Sequence, residues 1–227
     1  YFAYGSNMYA TVFLERRGIC LLKSLRACLE TWCLCFNVLF LPYRDPGMAS
    51  LRERTGDCDG ISVHGVALLL SAADFIKLII SEGASVAYKV VDATAHPLNG
   101  AEQFEVRTLV ARQMYRFQSS RCPSERYMGS LAKGESEQKL PPWYQNHLSN
   151  IRVFRASDSK RWKLGRWLFE TQWQPITSLV ARGTRRFKDE AGNVSAWYLL
   201  MFDILLYSMW TQHDMVFAPI FGRRDGR

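Results

Sequence analysis

Glu82 is the side chain whose setting best suits proton chemistry. It follows the apolar run Phe75, Ile76, Leu78, Ile79 and Ile80, and it precedes Gly83, a plausible helix stop. A carboxylate at a helix C-terminus faces the negative end of the dipole, and apolar neighbours such as Val86 desolvate it. Both effects raise its pKa, and a carboxyl group brought toward neutrality is the better proton shuttle. A solvated glutamate ending a surface helix has the same signature, and from Glu82 alone that plainer reading is preferred. The second stretch is Tyr1-Phe2-Ala3-Tyr4-Gly5-Ser6-Asn7-Met8, an aromatic strand that breaks at Gly-Ser-Asn. It leads into a short amphipathic helix over Tyr9 to Gly18. A strand delivering such a turn into a helix start presents N–H groups to a carboxylate or a developing oxyanion. For Gly-Ser-Asn alone, an ordinary strand-to-helix turn is the preferred reading.

Other chemistries find less support. There is no G-x-S-x-G elbow, P-loop or G-x-G-x-x-G pattern. His64, His96, His147 and His213 are dispersed, and none of the six cysteines (20, 28, 33, 35, 58, 122) forms a C-x-x-C pair, so no metal site is expected. A Cys/His nucleophile pair stays open on sequence distance alone. Free buried thiols in a reducing, cytoplasmic compartment are the expectation. The net charge of +8 suggests nucleic acid, but the basic residues are scattered apart from Arg182-Arg185-Arg186 and Arg223-Arg224, so a basic globular protein is preferred. Trp197 to Trp210 is too short to span a bilayer comfortably and carries Asp203, which predicts a buried or domain-packing helix.

The 227 residues, 48% hydrophobic, suffice for one full core with an appendage. Strands are expected at Cys28–Leu41, Met48–Leu51, His64–Leu70, Val86–Ala93 and roughly Gln103–Phe117. Pro42 to Gly47 reads as a loop, Arg52 to Asp59 as a polar turn, and Pro97-Leu98-Asn99-Gly100 as a hairpin turn. Ser71 with Asp74 caps one helix, Ser124 caps a second through Tyr127 and Leu131, and Pro141-Pro142 opens a third. From about Ile151 the character changes. This tail holds five of the seven tryptophans, at helical spacing, with loops expected at Pro175 and Ala191-Gly192-Asn193.

These pieces in this order resemble a known family. Tyr4-Gly5-Ser6-Asn7-Met8, His64-Gly65-Val66-Ala67, Glu82-Gly83 with Tyr88, Pro123-Ser124-Glu125-Arg126-Tyr127, Gly134 and Leu140-Pro141-Pro142-Trp143-Tyr144 are similar to γ-glutamylcyclotransferases. The tail is similar to that of the lengthened fungal branch, some members of which act in gliotoxin-type biosynthesis. The resemblance implies an α+β fold: a small mixed β-barrel with flanking helices over 1–150, plus a mainly helical extension over 151–227. It implies a cofactor-free reaction on a small γ-glutamyl substrate, with neither nucleic acid nor membrane as partner. Glu82 would move the proton, Tyr4, Gly5, Ser6, Asn7 and Met8 would hold the glutamyl group, and Tyr88 and Tyr127 would border it. Ala87, Glu135 and Lys139 depart from the family pattern, which bears on substrate choice. A catalytically silent module that captures a carboxylate is the competing expectation.

Overall fold

A computed structural model describes residues 1–9, 18–55, 60–81, 86–112, 121–189 and 193–223. Residues 10–17 of the expected first helix, the far part of the polar turn, Glu82 and Gly83, the return strand beyond 112, and Ala191-Gly192 lie outside them.

One long strand organises the sheet. β2 (Lys23–Leu41) starts five residues before the expected strand and is long enough to serve several partners. Its first half pairs with β4 (Ser62–Leu69) and its second half with β3 (Asp45–Glu53). Register shifts at Leu29/Cys33 and Cys35/Val38 bend it between those duties, as bulges do. β1 (Phe2–Ala3) lies on the far side of β4, while β5 (Tyr88–Pro97) touches β2 and forms a hairpin with β6 (Phe104–Ala111). Gly100 turns that hairpin at φ +78°, a conformation that favours glycine. All strand ladders among the described residues are antiparallel, and the parallel pairing is the isolated bridge Ser124–Phe154.

The sheet curls until β6 reaches β1 and β3, where side chains replace a ladder. Thr108 Oγ1 donates to Phe2 O (3.0 Å), Tyr4 OH donates to Leu109 O (2.5 Å), and Ser50 Oγ accepts the Ala111 N–H (2.7 Å). Inside lie Phe2, Leu29, Val63, Leu78, Leu131 and Tyr144, all fully buried. Gly65 makes the close approach of β1 feasible, since a Cβ there would sit 2.2 Å from Ala3 O.

Flanking helices follow the expected caps. Ser71 Oγ accepts the Asp74 N–H (3.1 Å) at the start of α1 (Ala72–Ser81), and Ser124 Oγ accepts the Tyr127 N–H (3.1 Å) at the start of α2 (Glu125–Glu137). α3 (Pro142–Ser149) opens on its proline as predicted.

Two expectations fail for tertiary reasons. The Pro42–Gly47 loop shrinks to a turn, and β3 already begins at Asp45. Pro46 is tolerated because β3 is an edge strand, and Gly47 is needed because a Cβ would lie 2.7 Å from Arg121 O. Pro175 sits inside α4 (Lys160–Arg186) instead of ending it. A helix-interior proline costs about 3 kcal/mol. Phe169, Trp173 and Ile176, seated in a second core, offset that cost.

That second core joins the tail to the sheet. Tyr43, at the β2–β3 turn, packs its ring 5.3 Å from Trp162, 5.3 Å from Phe169 and 5.1 Å from His213. α5 (Ala196–Gln212), a π-helical turn (His213–Phe217) and α6 (Ala218–Phe221) complete it with Leu206, Met209, Trp210 and Phe217. α5 packs on the rest of the chain as expected, its Asp203 buried against Arg112. Among the described residues no helix is long and apolar enough to cross a membrane.

Two glycines of α2 separate local from tertiary demands. Gly129 faces open space, so Gly129→Ala should raise stability by about 0.5–1 kcal/mol. A Cβ at Gly134 would meet Tyr9 N at 2.9 Å and Met8 Cβ at 3.0 Å, so Gly134→Ala should lower stability by about 1–3 kcal/mol. Denaturant unfolding of the two variants side by side checks both signs.

Candidate active site

Where β1 ends, Tyr4 is buried, and that burial holds its phenol well above the usual tyrosine range. Gly5 then caps a 3-10 turn (Ser6–Met8), closed by Met8 N–H to Gly5 O (3.0 Å) and Tyr9 N–H to Ser6 O (3.2 Å). The start of such a turn leaves its first N–H groups without a partner inside it. Asn7 donates from Nδ2 to Tyr1 OH (3.0 Å), and its buried Oδ1 has no hydrogen-bond partner.

α2 clamps this turn along its length. At its N-terminal end, Tyr127 OH accepts the Ala49 N–H (3.2 Å). Tyr88, from the start of β5, donates its hydroxyl to Ala49 O (3.1 Å). The two tyrosines therefore meet on one residue of the edge strand β3 and satisfy its main chain as a further strand would. A Cβ at Gly5 would lie 3.5 Å from Tyr127 OH and 3.9 Å from Ala49 Cβ, so the turn abuts the same cluster. At the other end, Gly134 lets Met8 and Tyr9 pack against the helix, and Gln138 Nε2 donates to Met8 O (3.0 Å). The N-terminus of α2 is itself anchored on Asp45, which accepts from Ser124 and from Arg126 Nη2 (2.7 Å).

Of the predicted site residues, Tyr4, Gly5, Tyr88 and Tyr127 converge here, and Ser6, Asn7 and Met8 continue from them. Glu82 lies outside the described residues, between the end of α1 and Val86. Ala49 and Gln138 act through a main chain and an amide that carry no sequence signal, and sequence reasoning missed both. Cys35 is a free thiol, as expected. Its thiol is pushed up to about 12 by burial, so it is held protonated and is a poor nucleophile.

A buried carboxyl appears one residue beyond the glycine that seats the turn. Glu135 is 2% exposed, its Oε1 has no partner, and burial pushes it up to about 8. Tyr144 lies close enough for that carboxyl to raise its phenol further. His64 stacks on the Tyr144 ring at 4.8 Å, and burial lowers the histidine pKa. Glu135, Tyr144 and His64 thus form a buried group held toward neutral forms.

Two outcomes follow. Tyr127→Phe leaves the Ala49 N–H without its acceptor and should cost about 1–3 kcal/mol by urea denaturation. Unfolded, Glu135 ionises near 4.5; folded, it stays protonated until about pH 8. The folded chain binds the extra proton between those values, so its stability should fall as pH rises from about 4.5 to 8 and then level off. Melting curves across that range should fall less steeply for Glu135→Gln.

The family described as the AclK C-terminal domain matches residues 159–220. A Claviceps purpurea (strain 20.1) protein described as gamma-glutamyl cyclotransferase gliK is 40% identical over 222 residues, covering 97% of this chain and 100% of that one. The Aspergillus fumigatus protein of the same description is 33% identical over 244 residues, covering 100% of this chain and 89% of that one. A solved structure described as gamma-glutamyl cyclotransferase shares the fold at a TM-score of 0.56 and 24% identity, over 70% of this chain and 89% of that one. With full-length relatives at this identity and the barrel-and-helix architecture in common, the chain belongs to the γ-glutamyl cyclotransferase family.

Proposed function

We propose that this chain releases the γ-glutamyl group of a γ-glutamyl peptide or glutathione conjugate as 5-oxoproline. The observation that carries the reading is the meeting of Tyr88 and Tyr127 on Ala49 beside Gly5. It supports a built pocket wall at the turn that the resemblance assigns to the glutamyl group.

The chemistry needs few groups. The α-amine nitrogen attacks the γ-carbonyl carbon, a C–N bond forms, and the carbonyl electrons pass to oxygen. Glu82 accepts the proton shed by the attacking amine and delivers it to the nitrogen that leaves when the original amide C–N bond breaks. The products are 5-oxoproline and a free amine, with no redox change and no water consumed. Tyr4, Gly5, Ser6, Asn7 and Met8 hold the glutamyl carboxylate and the developing oxyanion, and the unpartnered Asn7 Oδ1 suits an N–H of the glutamyl amine. Tyr88 and Tyr127 border the substrate. Ring closure is intramolecular, so holding the glutamyl chain folded supplies much of the acceleration.

Residues 1–150 would carry this chemistry, with 151–227 packed on them as an extension, in the cytoplasm and within sulfur-containing secondary metabolism. The competing reading, a silent carboxylate-binding module, leaves Glu82 without a task.

The test is 5-oxoproline release from glutathione, γ-glutamyl amino acids and a bis-glutathione conjugate. Glu82→Gln should reduce turnover by about 10²–10⁴-fold, with substrate binding retained. Glu135→Gln should keep its turnover; the reverse pattern would transfer the proton role to Glu135.

A further inference from the structure

α5 is apolar on every side, yet only one of its faces is covered. Tyr198, Leu206, Met209 and Trp210 are buried inward. On the opposite side Trp197, Leu200, Ile204, Ser208 and Thr211 recur at steps of three and four residues, and all are exposed. The stripe runs on into the π-helical turn, where Met215 and Val216 both face outward. Phe187 extends it at the other end, packed edge-on against Trp197 at 5.5 Å.

Area and charge set this face apart from scattered surface hydrophobes. Phe187, Trp197, Leu200, Ile204, Met215 and Val216 are each between 44% and 75% exposed. Side chains of that size leave on the order of 700 Å² of contiguous apolar surface, above the largest patch of a typical monomer. With Ser208 and Thr211 included, the face approaches the roughly 800 Å² per partner of a stable protein interface. Between Ser195 and Gly222 the acidic and basic side chains are Asp203 and Asp214 alone, and each is paired with a largely buried arginine, Arg112 and Arg121. The outward face is therefore uncharged, on a chain whose net charge is +8.

We propose that a second copy of the chain docks on this face, the two α5 helices crossing antiparallel about a two-fold axis near Ser208 and Thr211. A groove of about 580 Å³ lies there, lined by Ile204, Tyr207, Ser208, Thr211, Met215 and Val216. Its small residues sit midway between bulky ones, so one surface supplies both the hollow and the side chains that fill it. The two-fold rotation sets Ile204 against the Met215 of the second copy and Ser208 against its Thr211, the self-complementarity that an isologous contact requires. Two copies of charge +8 meet with least repulsion where neither presents a charge. The outward face of α4 fails that condition, because its exposed Leu164 and Trp167 lie among Lys160, Arg161 and Lys163. A lipid surface fits the stripe less well, since no lysine or arginine lies between Ser195 and Gly222 to meet headgroups.

Sedimentation velocity of the full chain, from about 1 to about 100 µM, reads this contact through mass and is independent of the proposed reaction. Wild type should sediment at twice the chain mass at the upper end of that range. Ile204→Lys and Met215→Lys place unpaired charges inside the contact, so each should weaken association by at least about a hundred-fold and sediment as a monomer. Both side chains are exposed in the single chain, so the diluted variants should unfold at the temperature of diluted wild type. Trp167→Lys, on α4, should stay dimeric. Wild type that remains monomeric at the highest concentration would overturn the proposal, and so would a dimer that persists in both α5 variants. A monomeric wild type that co-sediments with phosphatidylcholine vesicles, with Ile204→Lys failing to do so, would give the face to a membrane surface instead.

Discussion

The whole arrangement depends on closing a curled sheet along a seam where no strand ladder forms among the described residues. There β6 meets β1 and β3 through Tyr4, Thr108 and Ser50, each hydroxyl bonded to a main-chain group across the gap. Each such bond contributes roughly 0.5–1.5 kcal/mol net, but leaving the buried partner unmet costs more. The seam is therefore as much a constraint as a source of stability. It holds β1 in place, and β1 ends in the turn at which the glutamyl group is proposed to sit. Tyr4 serves both tasks, since its hydroxyl closes the sheet and its main chain enters the turn.

Close approach is the second condition. Gly65 lets β1 lie against β4, and Gly134 lets the turn lie against α2. Tyr127, Gly134 and Gln138 give α2 three successive points of grip on the turn or its surroundings. The residues gathered around the turn, Tyr4, Met8, Tyr88 and Tyr127, are buried and rich in hydroxyls. Burial pushes the Tyr4 phenol upward there, and elsewhere in the fold it raises Glu135 and lowers His64. An amine attacking an amide benefits from such surroundings, because hydrogen bonds and proton transfers act more strongly where water is excluded.

Much of this was legible in the sequence where a local rule was in charge. The caps at Ser71 and Ser124, the glycine turn at Gly100, the proline start of α3 and the aromatic strand into Gly-Ser-Asn each follow from the chemistry of a few neighbouring residues. The failures all have distant causes. Pro46 and Gly47 belong to a strand because β3 is an edge and because Arg121 O crowds Gly47. Pro175 stays helical because Trp173 and its neighbours are held by the second core. In the site, the tyrosines were readable through family resemblance. Ala49 was not, because its role is carried by a main-chain N–H and C=O that every residue has. Glu135 registered only as a departure from the family pattern, since its burial, which gives it its character, comes from tertiary packing near Tyr144 of α3 rather than from its sequence neighbours.

A crystal structure with 5-oxoproline bound tests the central claim most directly. The account predicts the ring between the Gly5–Met8 turn and the Tyr88–Tyr127 pair, its carboxylate on the turn and the Glu82 carboxylate within hydrogen-bond reach of the lactam nitrogen. A ring bound elsewhere, or bound there with Glu82 out of reach of the nitrogen, would contradict it.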